Sequence, residues 1–184
     1  MQKSDTTEHL QIQFVQFGLQ YYASGRFAVL NLHPPVSGNL MHHAVEMILK
    51  GILAQKLSRD ELLKLGHNLI RLWGAAKAID NYQELTQFDD AIAKLHRFER
   101  IRYPDKLITE GATMQTGLRK GDEIIVSQPK SNPNTSYEMA LEDIDHLVKV
   151  LFKLLGHNPL FYLNSFKQSA RSILAEQNIH PFWQ

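Results

Sequence analysis

The amino-acid sequence predicts an all-α fold: an up-and-down bundle of about five or six helices, with an irregular or β-hairpin insertion before the last two. Three observations lead there. Apolar residues recur at spacings of three and four along most of the chain. Serine, asparagine, glycine and proline punctuate those runs where helices begin and end. Between residues 105 and 136 both signals lapse, and glycines, prolines and β-branched residues take over.

The first helix is expected from about Thr7 to Asn31, with Phe14, Val15, Phe17, Gly18, Tyr21, Tyr22 and Ala23 at helical spacing and Asp5, Thr6 or Thr7 as its cap. Pro34 and Pro35 stop it, because proline lacks a donor and forces its predecessor out of the helical region. Ser37 then caps a second helix, from Gly38 to Lys56. Its apolar residues, among them Met41, Ala44, Val45, Ile48 and Ile52, cover a face wide enough for the inside of a bundle. Ser58 opens a short helix with Glu61 in the capping-box position, and Gly66 ends it. A fourth helix runs through Leu69, Leu72, Trp73, Ala76 and Ile79.

A fifth is expected from Gln83 to Ile101, marked by Leu85, Phe88, Ile92, Leu95 and Phe98 and ended by Tyr103-Pro104. Met114 to Gln128 reads as a hairpin turning near Lys120-Gly121, since Ile124, Ile125 and Val126 favour strands, or as a mobile surface loop. Helical pattern returns from Ser136 to Leu155, and a last helix spans Pro159 to Gln177, with proline at a favoured first position. The sequence LGHN occurs at Leu65–Asn68 and again at Leu155–Asn158. The flanks differ, so a local account is preferred: glycine closes one helix and asparagine caps the next.

With 184 residues, 43% hydrophobic and 21% charged, residues 1–184 suit a single domain with a real core. A formal net charge of +1 argues against a broad basic grip on nucleic acid and leaves room for a local patch. The absence of cysteine excludes disulfides, thiolate metal sites and a cysteine nucleophile. The N-terminal residues lack a basic stretch followed by an apolar run, and no segment approaches the ~20 apolar residues of a spanning helix. A cytoplasmic protein without membrane contact is the expectation.

Polar residues with chemical potential gather on the second helix. His42, Glu46 and Lys50 are one turn apart in succession, and His43 neighbours Glu46. His67 and Arg71, also one turn apart, are placed to meet that face. This group is read either as satisfied polar contacts beside the core or as a binding pocket. No metal is expected, because a bundle metal site wants Glu-x-x-His on two helices. If Asn68 caps its helix, His67 and Arg71 stand at an N-terminus that favours anions, and Arg102 offers a two-pronged phosphate contact or a structural pair with Asp105. The candidate ligand-binding residues are therefore His43, Glu46, Lys50, His67, Arg71 and Arg102. The basic run Lys94, Arg97, Arg100 and Arg102 is diluted by Asp89, Asp90 and Glu99, and reads best as a solvated face.

Three segments together carry a family resemblance: Ala44 to Lys50 and Leu53 as A-x-x-x-x-K-x-x-L on one helix, Gly66-His67-x-Leu69 at a corner, and Arg102-Tyr103-Pro104 after a later helix. In this order the chain resembles the HEPN domain (higher eukaryotes and prokaryotes nucleotide-binding) from about Phe14 to Asp105, resuming in the last two helices. The resemblance implies a helical bundle, often dimeric. RNase members carry Arg-x(4–6)-His on a late helix. Here Arg171 and His180 are too far apart, and the only formal match, Arg26 and His33, ends the first helix. The resemblance thus implies a non-catalytic module without cofactor, dimeric, recognising a nucleotide, RNA or partner protein. The alternatives are a metal-independent RNase using Arg26 and His33, and a structural or toxin–antitoxin interaction protein whose contact element is the insertion.

Overall fold

A computed structural model describes residues 2–80, 83–103, 105, 109, 113–120, 123–124 and 136–183. The chain is mostly helical. Gln2–Leu30 forms α1, Pro34–Leu53 forms α2, Arg59–Leu65 forms α3 and Leu69–Asp80 forms α4. Asp89–Arg97 is α5, flanked by 3-10 turns at Gln83–Phe88 and Phe98–Ile101. Among the described residues four short strands follow: Thr113–Gly117 (β1), Arg119–Lys120 (β2), Glu123–Ile124 (β3) and Ser136–Ala140 (β4). The helices Leu141–Leu155 (α6), Pro159–Leu163 (α7) and Gln168–Ala175 (α8) complete the order.

α1 and α2 form the spine. They run antiparallel: Val15 meets Gly51, Gly18 meets Ile48 and Gly25 meets Met41. A methyl group on Gly18 would stand 2.7 Å from Ile48 Cγ1 and 3.1 Å from the Ala44 carbonyl oxygen, so the missing side chain sets how closely the helices approach. α2 lies at the centre and touches α1, α4, α5, α6 and β1. That position explains its breadth of burial. Ala44, Val45, Ile48 and Leu49 are fully buried, and so are His42 and Glu46 on another side of the same helix.

The link between α1 and α2 is a three-residue corner closed by backbone geometry. Leu32 takes a left-handed φ of 57°, its N–H donates to Val29 O, and the His33 N–H reaches back to Ala28 O at 2.8 Å. This is a Schellman closure with leucine where glycine is usual. Pro34 and Pro35 do not merely stop α1, as expected. They begin α2, where a missing N–H costs nothing and the fixed φ suits the helix. Ser37 is consequently no cap. It is buried in the first turn, its hydroxyl 3.0 Å from both Pro34 O and Thr116 Oγ1.

The remaining punctuation follows the sequence. Ser58 and Glu61 make a full capping box. Gly66 and Gly156 both have positive φ, and Asn68 and Asn158 accept from the N–H groups of Arg71 and Leu160. Both LGHN copies are therefore corners.

Other expectations need correction. Ser136–Ala140 is a strand rather than the start of a helix. It pairs in parallel with β1, Thr113 beside Ser136 and Gly117 beside Ala140. Tyr137 and Met139 alternate into the core, which is strand behaviour. β2 and β3 pair antiparallel, and residues 106–108, 110–112, 121–122 and 125–135 of the expected insertion lie outside the described residues. The expected fifth helix is interrupted by 3-10 turns, and the expected last helix divides into α7 and α8. Phe17 and Tyr21, though at helical spacing with the apolar residues of α1, are exposed, because Val15, Leu19 and Tyr22 occupy its buried side. Among the described residues no helix is long and apolar enough to cross a membrane.

Candidate functional site

The residues around Glu46 build one connected polar cluster on the flank of α2. Glu46 is fully buried, and its Oε1 accepts two hydrogen bonds. Lys50 Nζ, one turn along the same helix, donates at 2.7 Å. His67 Nδ1, from the corner before α4, donates at 2.8 Å. The glycine closure of α3 aims that histidine at α2, while its ring stays 70% exposed and open to solvent. Burial works to raise the Glu46 carboxyl, but His43, Lys50 and His67 outweigh it and hold the group down at about 2. Glu46 is thus an anion that fixes cations and donors around itself.

The second oxygen, Oε2, faces two histidines. His43 Nδ1 stands 3.4 Å away and His42 Nε2 3.8 Å away. Arg102 Nη2 lies 3.1 Å from His43 Nε2. A guanidinium can only donate, so His43 Nε2 accepts and its Nδ1 carries the hydrogen toward Glu46. Arg102 is held again by Glu99, at 2.9 and 3.0 Å to the two carboxylate oxygens. The Tyr21 ring covers His43, centroids 5.4 Å apart. The order from core to surface is Glu46, His43, then Tyr21 and Arg102.

His42 lies deeper. Its Nδ1 donates to Leu95 O at 3.3 Å, so in the neutral ring Nε2 is a bare lone pair. That atom points toward Glu99 Oε2 at 3.5 Å and Glu46 Oε2 at 3.8 Å, and neither it nor Glu46 Oε2 finds a hydrogen bond among the described residues. Burial pushes the His42 pKa down, against the pull of the Leu95 carbonyl and both carboxylates. Among the described residues no group of three or more histidines and carboxylates has the arrangement to hold a metal ion.

Of the six expected ligand-binding residues, His43, Glu46, Lys50, His67 and Arg102 come together. Arg71 does not join them. It is exposed, and no hydrogen bond or ion pair among the described residues ties its guanidinium to the cluster. Glu99, a diluting charge within the basic run, also belongs to the cluster through Arg102. Its position three residues before Arg102, the spacing of a helical ion pair, was the available signal.

Arg26 and His33 are placed apart from this cluster and from any shared task. Arg26 is completely buried. It pairs with Asp145, and its other nitrogens donate to the Ile173 and Glu176 carbonyl oxygens at the end of α8. Tyr22 adds a hydrogen bond to the same aspartate at 2.5 Å. This arginine locks α1 to α6 and α8. His33 is exposed at the start of α2, its ring edge-on to Phe27.

No family model matches the chain, and comparisons with curated proteins and with solved structures return no match.

Proposed function

We propose that the chain is a non-catalytic, HEPN-like binding module that acts as a dimer and recognises single-stranded RNA or a nucleotide through the Tyr21–His43–Arg102 edge of the Glu46 cluster. The observation that carries this reading is the fixed Arg102. Its guanidinium is held by His43 and Glu99 with much of its surface open, beside the exposed Tyr21 ring. A positioned arginine suits a phosphate, and an exposed aromatic ring offers a base a stacking surface. His67, with its ring 70% exposed, adds a solvent-facing imidazole on the same flank. The nuclease alternative loses ground because Arg26 is committed to Asp145.

Titration of fluorescently labelled single-stranded RNA and nucleotides into the wild type, Arg102→Ala and Tyr21→Ala tests the reading. Each variant is expected to bind about tenfold more weakly, as loss of one stacking or charged contact implies. Absence of binding by the wild type, or wild-type affinity in both variants, would overturn it. Sedimentation of the wild type checks the dimer.

A further inference from the structure

A second concave site lies on other elements. α7, α8 and the C-terminal Trp183 enclose a groove of about 320 Å³, the small end of the range for small-molecule pockets. Leu160, Leu163 and Leu174 join Trp183 in giving it apolar walls, and Arg171 stands in its lining.

Arg171 decides the chemistry. Its Nε donates to the Phe166 carbonyl oxygen at 3.1 Å, which anchors the base of the guanidinium. No carboxylate among the described residues pairs with it, and the side chain is partly withdrawn from water. An anchored arginine on an apolar groove complements a ligand with a carboxylate at one end and hydrocarbon behind it. Asn164 and Gln168 also line the groove.

We propose that this groove binds a small amphipathic carboxylate, an aliphatic or aryl-alkyl acid, with Arg171 holding the carboxylate and the leucines and Trp183 covering the apolar body. The site is independent of the Glu46 cluster and stands whether or not that cluster binds RNA.

Calorimetric titration of the full chain with decanoate, 3-phenylpropanoate and decanol, all below micellar concentrations, tests the proposal. At least one of the two acids should bind, and which one identifies the aliphatic or aryl source. The matched alcohol should bind at least tenfold more weakly than decanoate if the aliphatic acid is the ligand. Arg171→Gln should weaken acid binding about tenfold or more, the worth of a charged hydrogen bond. Because this change also removes the anchor on Phe166, Leu160→Glu serves as a second variant. Leu160 is half exposed, so a carboxylate there spares the core while repelling the ligand from the wall. The proposal is overturned if neither acid binds at millimolar concentration, if decanol equals the acid, or if both variants bind as the wild type does.

Discussion

Phe98, in the turn after α5, occupies the space that a side chain on Gly38 of α2 would need. A methyl group built there would lie 1.9 Å from the ring Cδ1. Both residues are buried, and α2 is packed on several sides, so neither helix can withdraw. Gly38→Ala is therefore expected to cost about 3 kcal/mol or more, at the upper end for overpacking. Phe98→Leu in the same chain should recover part of that loss. A double-mutant cycle by urea unfolding checks it, and simple additivity of the two changes would sink the explanation.

Glu46 should make the protein acid-sensitive in a defined window. Its folded pKa is about 2 against an ordinary 4.5, so its contribution is complete above pH 4.5 and disappears as pH falls toward 2. The difference corresponds to about 3 kcal/mol. Glu46→Gln should lower stability at pH 7 and flatten its dependence on pH below 4.5. Identical slopes for the two proteins over that range would refute the assignment.

His42 acts in the same direction at higher pH. Burial keeps its folded pKa below the ordinary 6.5, so the unfolded chain takes up the proton first. Stability should fall as pH drops below 6.5 and level off above it. NMR titration of the ring should place its midpoint below the ordinary 6.5.

Asp145 is buried with Arg26 as its charged partner and Tyr22 as its hydrogen-bond donor. Asp145→Ala leaves that guanidinium uncompensated and should cost about 3–5 kcal/mol. Replacing both ends, as Arg26→Met with Asp145→Leu, should cost less than the single change. Chemical denaturation of the three proteins decides it.

Leu32 sits at φ 57° in the Schellman corner with its side chain more than half exposed. Asparagine tolerates that conformation better than leucine. Leu32→Asn should raise stability by roughly 0.5–1 kcal/mol. A fall in melting temperature would mean that Leu32 makes a contact in solution that outweighs the strain.

What could be read from the sequence was whatever is encoded locally. Ser58 with Glu61, Gly66 with Asn68 and Gly156 with Asn158 act within one or two turns of chain, and all took the expected roles. His43, Glu46 and Lys50 share a helix, so their meeting followed from spacing. Pairings across the fold were less visible. Arg26 with Asp145 joins residues on α1 and α6, and no local rule marks it. The pairing of β1 with β4 is hidden for the same reason: Thr113–Gly117 has no strong alternation, and Ser136–Ala140 runs directly into α6, whose helical pattern masks it.

The parallel pairing of β1 and β4 also governs how this chain can be cut and rejoined. In an antiparallel hairpin the two strand ends meet, and whatever lies between can be replaced by a tight turn. Here the end of β1 at Gly117 lies beside Ala140, while the chain re-enters at Ser136, beside Thr113. Any connector must travel back along the whole strand pair, roughly 13–16 Å at about 3.3 Å per residue. A graft replacing residues 118–135 must therefore be long enough to make that return. A two-residue splice would force β4 to reverse direction and pull Tyr137 and Met139 out of the core.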